Sequence, residues 1–341
     1  MGVLDRKITS GVFAVFRGHL NATRRRVPAR STLAFAVMCV ALWPAPGLAQ
    51  MFAHRVVVPV PLDDTTRAIG LLPGFSYFAD IERGLRSTDD ERAWAARLGG
   101  TIELWRLSRA TSILIGTADE MVANSLKDGG FNPRGISWQL EIGAAHRFRY
   151  GTVQLDFVHY CRHAIDNIDP PGPAYFVPGY VATQRTLSVN GPRLRFISPA
   201  MQVGRRISVR GAVTGEGYGK AWDGRNVAND ATTANAINSW LDARGSVGGD
   251  LRIDAKVWRG SGVYLRALGT EVLFSASASR PLTASPHENY RVELGWRAGG
   301  HRGGLELYGA VERLFDDLSS VIPHGSHVAG IGLRLSERYQ F

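Results

Sequence analysis

The sequence predicts an all-β chain folded as an antiparallel transmembrane β-barrel of about twelve strands. Three observations predict it. The dominant periodicity is two: Ile136, Trp138, Leu140, Ile142 and Ala144 alternate with Ser137, Gln139, Glu141 and Gly143. Val292, Leu294 and Trp296 alternate in the same way with Arg291, Glu293 and Arg297. Alternation over about ten residues puts apolar side chains on one face and charged ones on the other, as a lipid-facing wall around a polar lumen requires. Second, the segments that alternate come to an even number, as a single-chain bacterial barrel needs. Third, the connections between them are short and long in turn, the pattern of a barrel with tight periplasmic turns and longer external loops. No run of about eighteen apolar residues follows residue 50, so no transmembrane helix competes with this reading. Glycine, at 39 of 341 residues against a usual ~7%, suits turns and close-packed strands.

Residues 1–49 read as an export signal peptide. Arg24, Arg25, Arg26 and Arg30 form a positive region, and the apolar run from Ser31 to Leu42 is too short to span a bilayer. Gly47 and Ala49 then offer small residues for cleavage before Gln50. The alternative, an N-terminal membrane anchor, is opposed by the short run and by Pro44-Ala45-Pro46. The stretch before Arg24 is longer than such a signal needs, so a true start downstream of Met1 is a further expectation. Cleavage removes Cys39 and leaves Cys161 as the one thiol, so the exported chain holds no internal disulfide. It also reshapes the charge. Of the formal +10, the leader holds seven Lys/Arg against the single acid Asp5, and 33 basic residues face 29 acidic ones in the remainder. No basic stripe remains, which argues against nucleic acid as a partner.

Residues 50–72 precede the first strand and are expected in the periplasm or as a plug in the lumen. Pro59 and Pro61 favour an extended strap there. Residues 73–341 form the barrel, with strands expected near 73–87, 94–107, 111–123, 135–148, 151–165, 186–198, 203–215, 238–252, 257–274, 288–299, 303–315 and 326–341. The short connections then fall at 108–110, 149–150, 199–202, 253–256 and 300–302, and the longest at 166–185 and 216–237. Glu103, Glu141, Asp156, Arg206, Arg210, Glu293, Arg297, Glu306 and Glu312 are expected to point inward. With about twelve strands the interior is narrow, and packing by mutual ion pairs is the default, with a solute pathway as the alternative.

The stretch from Phe157 to Asn167 is the most unusual in the chain. Val153, Leu155 and Phe157 should face lipid, and period two then places His159, Cys161 and His163 on the same outward face near the extracellular rim. Three readings follow. His159 and Cys161 form a base–nucleophile pair, since residues i and i+2 of a strand lie about 7 Å apart at Cα. Asp166, or Asn190 on the next strand, would orient the imidazole. Alternatively the residues bind metal, although the two histidines of a flat strand sit roughly 13–14 Å apart, too far for one ion to collect all three at ligand distances of about 2.0–2.3 Å. In the third reading they are interfacial residues that contact headgroups.

Several resemblances attach to these residues. The C-terminal alternation Ile331, Leu333, Leu335, Tyr339, Phe341 resembles the C-terminal strand signal of bacterial outer-membrane barrels. That resemblance implies an outer membrane of lipid and lipopolysaccharide, and insertion by the barrel-assembly machinery through the strand ending Tyr339 and Phe341. His159-x-Cys161 resembles the outward His-x-Ser pair of outer-membrane phospholipase A barrels, which also have twelve strands; here cysteine holds the serine position. His159, Cys161, His163 and Asp166 together resemble the His-x-Ser-Ser-His-x-Gly-Asp motif of the bacterial envelope family of domain of unknown function 1207. Phe78 to Arg83 and the residues Leu98-Gly99-Gly100 and Leu104-Trp105-Arg106 resemble other segments of that family, over residues 73–167 in all. That resemblance implies a secreted envelope protein and no particular activity. The functional expectation is thus an outer-membrane barrel with a structural or small-solute role, or else a lipid hydrolase using His159 and Cys161.

Overall fold

The computed structural model describes residues 69–87, 92–125, 131–164, 185–219, 222–225, 243–274, 288–299, 303–314 and 326–340. They form β1 (Gly70–Ser87), β2 (Trp94–Arg106), β3 (Thr111–Asn124), β4 (Asn132–Phe148), β5 (Gly151–Ala164), β6 (Arg185–Ile197), β7 (Met201–Val203), β8 (Ile207–Gly217), β9 (Trp222–Arg225), β10 (Ala243–Trp258), β11 (Ser261–Phe274), β12 (Glu288–Gly299), β13 (Gly303–Leu314) and β14 (Ser326–Gln340). Every neighbouring pair is antiparallel, and β1 pairs with both β2 and β14. The sheet closes on itself where Arg193 to Ile197 of β6 pair with Glu216 to Ala212 of β8. Twelve strands make the closed barrel; β7 pairs with β8 as a continuation of β6, and β9 pairs with β6 as a continuation of β8. Closure satisfies the edge hydrogen bonds that an open sheet would leave bare.

The expected strands are all present, with four departures. The first begins at Gly70 rather than 73, so residues 70–72 belong to the wall and not to a strap. The turn expected at 253–256 lies at 259–260, where Gly260 adopts φ 74°, a left-handed conformation that suits glycine. Arg206, expected inside, is exposed in the turn before β8. The short strands β7 and β9 were not foreseen. The leader, its cleavage site, residues 50–68, Asp166 and Phe341 lie outside the described residues.

The wall has inverted polarity. Leu140, Ile142, Leu155, Phe157, Leu194 and Leu294 are all more than half exposed on the outside. Trp105, Tyr150 and Trp258 stand exposed near the short-turn end, and Phe131, Trp138 and Tyr290 near the opposite end. An apolar band between two aromatic girdles is the exterior of a transmembrane barrel. No helix among the described residues is long and apolar enough to cross a membrane.

The interior is charged and filled. Arg97 of β2 bonds Asp80 at 2.9 Å, Glu82 at 3.0 Å and Glu120 at 2.8 Å. Arg291 of β12 reaches Glu82, Glu293 and Glu312 at 2.7–2.8 Å. Arg334 of β14 reaches Asp80, Glu293 and Glu306 at 2.7–3.1 Å. The Tyr308 hydroxyl donates to Asp80 at 2.7 Å, and its ring packs against both Arg291 and Arg334. Arg252 of β10 also bonds Glu306, on the non-adjacent β13. On the other side of the lumen a smaller cluster joins Arg193 to Glu141 and Asp156, and the Tyr160 hydroxyl to Glu216. Glycines make room for these groups. Tyr308 faces Gly332 across the β13–β14 ladder, Tyr264 faces Gly295, and Phe78 faces Gly99. A Cβ at any of the three would collide with the facing ring.

Candidate functional site

On the outer wall the apolar pattern gives way on β5 to His159, Cys161 and His163. Strand β5 follows the two-residue period strictly: Gln154, Asp156, Val158, Tyr160 and Arg162 are buried, while Leu155 and Phe157 are exposed. The parity of Leu155 and Phe157 continues through His159, Cys161 and His163, which are partly exposed. All three therefore face outward, toward the end of the barrel that carries the longer connections. Strand β4 brings Leu140 beside His159, and Trp138 beside Cys161. Strand β6 brings Asn190 beside His159, and Ser188 beside Cys161. The height is set by Trp138, a girdle residue whose ring lies 5.1 Å from that of His163.

The imidazole of His159 is held. Its Nδ1 lies 2.7 Å from Asn190 Oδ1. An amide oxygen only accepts, so Nδ1 donates, and the lone pair of the neutral ring is left on Nε2. That is the tautomer a general base requires. The Cys161 thiol lies 2.6 Å from His163 Nε2. The structure thus places the thiol between two imidazoles, engaged with the one at 163, while the one at 159 is oriented by an amide. Rotation about the Cα–Cβ bond of Cys161 is the motion that carries Sγ from one side to the other.

Of the sequence-predicted residues, His159, Cys161 and His163 share this face, and Asn190 is hydrogen-bonded to the histidine. Asp166 lies outside the described residues. Among the described residues no group of three His, Cys, Asp or Glu side chains is placed to hold a metal ion.

Sequence reading missed Asp119. It follows Ile113, Ile115 and Thr117 on the outward parity of β3, accepts a hydrogen bond from the Thr117 hydroxyl at 3.4 Å, and pairs in register with Trp138. Its signal was available: a carboxylate on the apolar parity of a strand is out of place on a lipid face. The outward polar patch therefore reaches from β3 to β6.

No family model matches the chain, and no curated protein does. The resemblance over residues 73–167 therefore has no matching family model behind it. Among solved structures, the chain is similar to the calcium-bound outer membrane phospholipase dimer of Salmonella typhi, at 11% identity and a TM-score of 0.40 over 82% of this chain and 98% of that one. It is similar to the autotransporter NalP translocator domain of Neisseria meningitidis, at 13% identity and 0.36 over 92% and 98%. It is also similar to an outer membrane channel of Pseudomonas putida, at 11% and 0.38 over 83% and 100%. These likenesses carry nothing about chemistry, which rests on the residues of the wall itself.

Proposed function

We propose that the chain is an outer-membrane barrel that hydrolyses acyl esters of membrane lipids with Cys161 as nucleophile and His159 as base. The observation that carries the reading is the Asn190–His159 hydrogen bond, two residues from the only cysteine of residues 50–341, on the lipid-facing side of the wall. Polar side chains are costly on such a face. An ordered base beside a nucleophile is a reason for keeping them there.

The chemistry is that of acyl transfer. Sγ turns from His163 to His159, and Nε2 takes the thiol proton. The thiolate attacks the ester carbonyl carbon, and collapse of the tetrahedral adduct breaks the C–O bond. The departing alcohol takes the proton from His159, and the acyl group stays on sulfur as a thioester. Water, deprotonated by Nε2, then attacks the thioester; the fatty acid leaves and the thiol is restored. Asn190 holds the ring through both halves, as the orienting member of a triad does. The substrate needs no channel, because an acyl chain in the bilayer already lies against Leu140, Leu155 and Phe157.

Purified protein in detergent micelles with a diacyl phospholipid tests this. Fatty-acid release, together with a hydroxylamine-sensitive acyl adduct on Cys161 in mass spectra, is expected. Absence of release, or release undiminished in Cys161→Ala, overturns it.

The filled lumen favours a second reading, a structural envelope barrel without turnover. The ion pairs of Arg97, Arg291 and Arg334 occupy the cross-section that a pore would need. Silence in planar bilayers together with no lipid turnover is its signature; steady conductance points instead to a small-solute pathway. In either reading we place the chain in the outer membrane, supported by the apolar band and its girdles. Export by residues 1–49 predicts a mature N-terminus at Gln50. Delivery to the barrel-assembly machinery by the strand ending Tyr339 and Phe341 predicts that Phe341→Asp lowers the amount inserted.

A further inference from the structure

A different set of polar groups lies inside the barrel, near the short-turn end of β5 and β6. Arg195 is buried, and its Nε and Nη1 have no hydrogen-bond partner among the described residues. Its register neighbour Gln154 is also buried; Nε2 donates to Asp156 Oδ1 at 3.0 Å, and Oε1 has no partner among the described residues. Arg193 bonds both nearby acids, Asp156 and Glu141, through Oδ2 and Oε2, and among the described residues Glu141 Oε1 has no partner. The other neighbours at this level are too short to answer a guanidinium: Ala145 beside Gln154, Thr214 beside Arg195, and Gly248 beyond it. Buried donors and a buried acceptor stand side by side without satisfying each other, an arrangement that asks for a guest.

The approach to this place is basic. Residues 145–153 and 197–213, which form the β4–β5 and β6–β8 ends, contain Arg147, Arg149, Arg205, Arg206 and Arg210 and no Asp or Glu. Arg149, Arg205, Arg206 and Arg210 are exposed. A mouth lined by one sign of charge concentrates ions of the other. Toward the opposite end, the Arg193 cluster occupies the same wall, so the place is a terminus rather than a passage.

We propose that Arg195 and Gln154 form a binding site for a small protonated oxyanion, of which hydrogen phosphate is the type. Its oxygens accept from Arg195 Nε and Nη1, and its P–OH group donates to Gln154 Oε1. A fully deprotonated oxyanion such as sulfate satisfies the arginine and leaves the amide oxygen unpaired. The site is independent of the outward patch and needs no turnover.

The test is calorimetric titration of the purified full-length protein in non-ionic micelles with inorganic phosphate and, separately, with sulfate. Saturable phosphate binding is expected, with sulfate about tenfold weaker for the lost hydrogen bond. Arg195→Gln should weaken phosphate by tenfold or more. Gln154→Leu should bring phosphate and sulfate level, and it keeps the proposal open to refutation if Arg195→Gln does not refold. Absence of saturable binding, or phosphate binding unchanged in Arg195→Gln, overturns the site. Equal binding of phosphate and sulfate by the unaltered protein overturns the part played by Gln154.

Discussion

The lattice around Arg334 and the patch around Cys161 use polar side chains to opposite ends. In the lattice Asp80 accepts from Arg97, Arg334 and Tyr308, and Glu293 from Arg291 and Arg334. Groups bound that fully are held for structure. On the patch, Asn190 takes up one nitrogen of His159, and the thiol leans on a second imidazole that it can leave. Groups half satisfied on a face where polarity is expensive retain capacity to react. The degree of satisfaction, rather than the kind of residue, separates scaffold from site in this barrel.

Four substitutions break or sharpen that contrast. Glu293→Ala removes the shared acceptor of two buried guanidinium groups and should cost about 3–5 kcal/mol, because breaking a buried pair strands its partner. Urea unfolding in micelles measures it; a loss below about 1 kcal/mol, the range of exposed pairs, would mean that the lattice does not hold the barrel. His159→Ala should lower lipid turnover by about 10²–10⁴-fold, the range for a general base, and leave the unfolding midpoint where it was. A matching fall in stability would move His159 from the reactive class to the structural one. Gly332→Ala adds a methyl under the Tyr308 ring and should destabilise by about 1–3 kcal/mol, as overpacking does. No effect there would show that the ring is free to move aside. Asn190→Ala deletes one hydrogen bond, worth about 1 kcal/mol, so turnover should fall only about five- to tenfold. Equality with His159→Ala would instead make the amide indispensable to the base.

Much of this was legible in the residues. Period two on β5 placed His159, Cys161 and His163 outward, because flanking Leu155 and Phe157 leave no ambiguity about the face. Asn190 was within reach of the same parity despite the Gly191-Pro192 pair beside it. Charges inside a barrel were harder to read. Asp254 and Lys256 look like turn residues, yet β10 runs on to Trp258, because Asp254 is paired with Arg252 and Arg297 in the lumen. The cross-strand partner Arg297 is distant in the chain and carries no local signal. Arg206 shows the converse: it continues the alternation of β8 on paper, but the chain turns there before pairing begins. Asp119 lay within the two-residue pattern, on the outward parity of Ile113 and Ile115, and was missed. The orphaned atoms of Arg195 and Gln154 follow from small residues on three other strands, which pairing alone reveals.

The bond between Arg334 and Asp80 joins residues 254 positions apart. Asp80 sits on β1, the first of the described strands, and Arg334 on β14, the last. Until that last strand arrives, Asp80, Glu293 and Glu306 each lack one of two arginines: Asp80 keeps Arg97, Glu293 keeps Arg291 and Glu306 keeps Arg252. A chain cut short before β14 would therefore lose more than one strand's worth of pairing; it would leave three carboxylates of the lumen each one guanidinium short. Assembly of this barrel is in that sense a proofreading step, in which completion of the C-terminal end is a condition for the N-terminal end to settle.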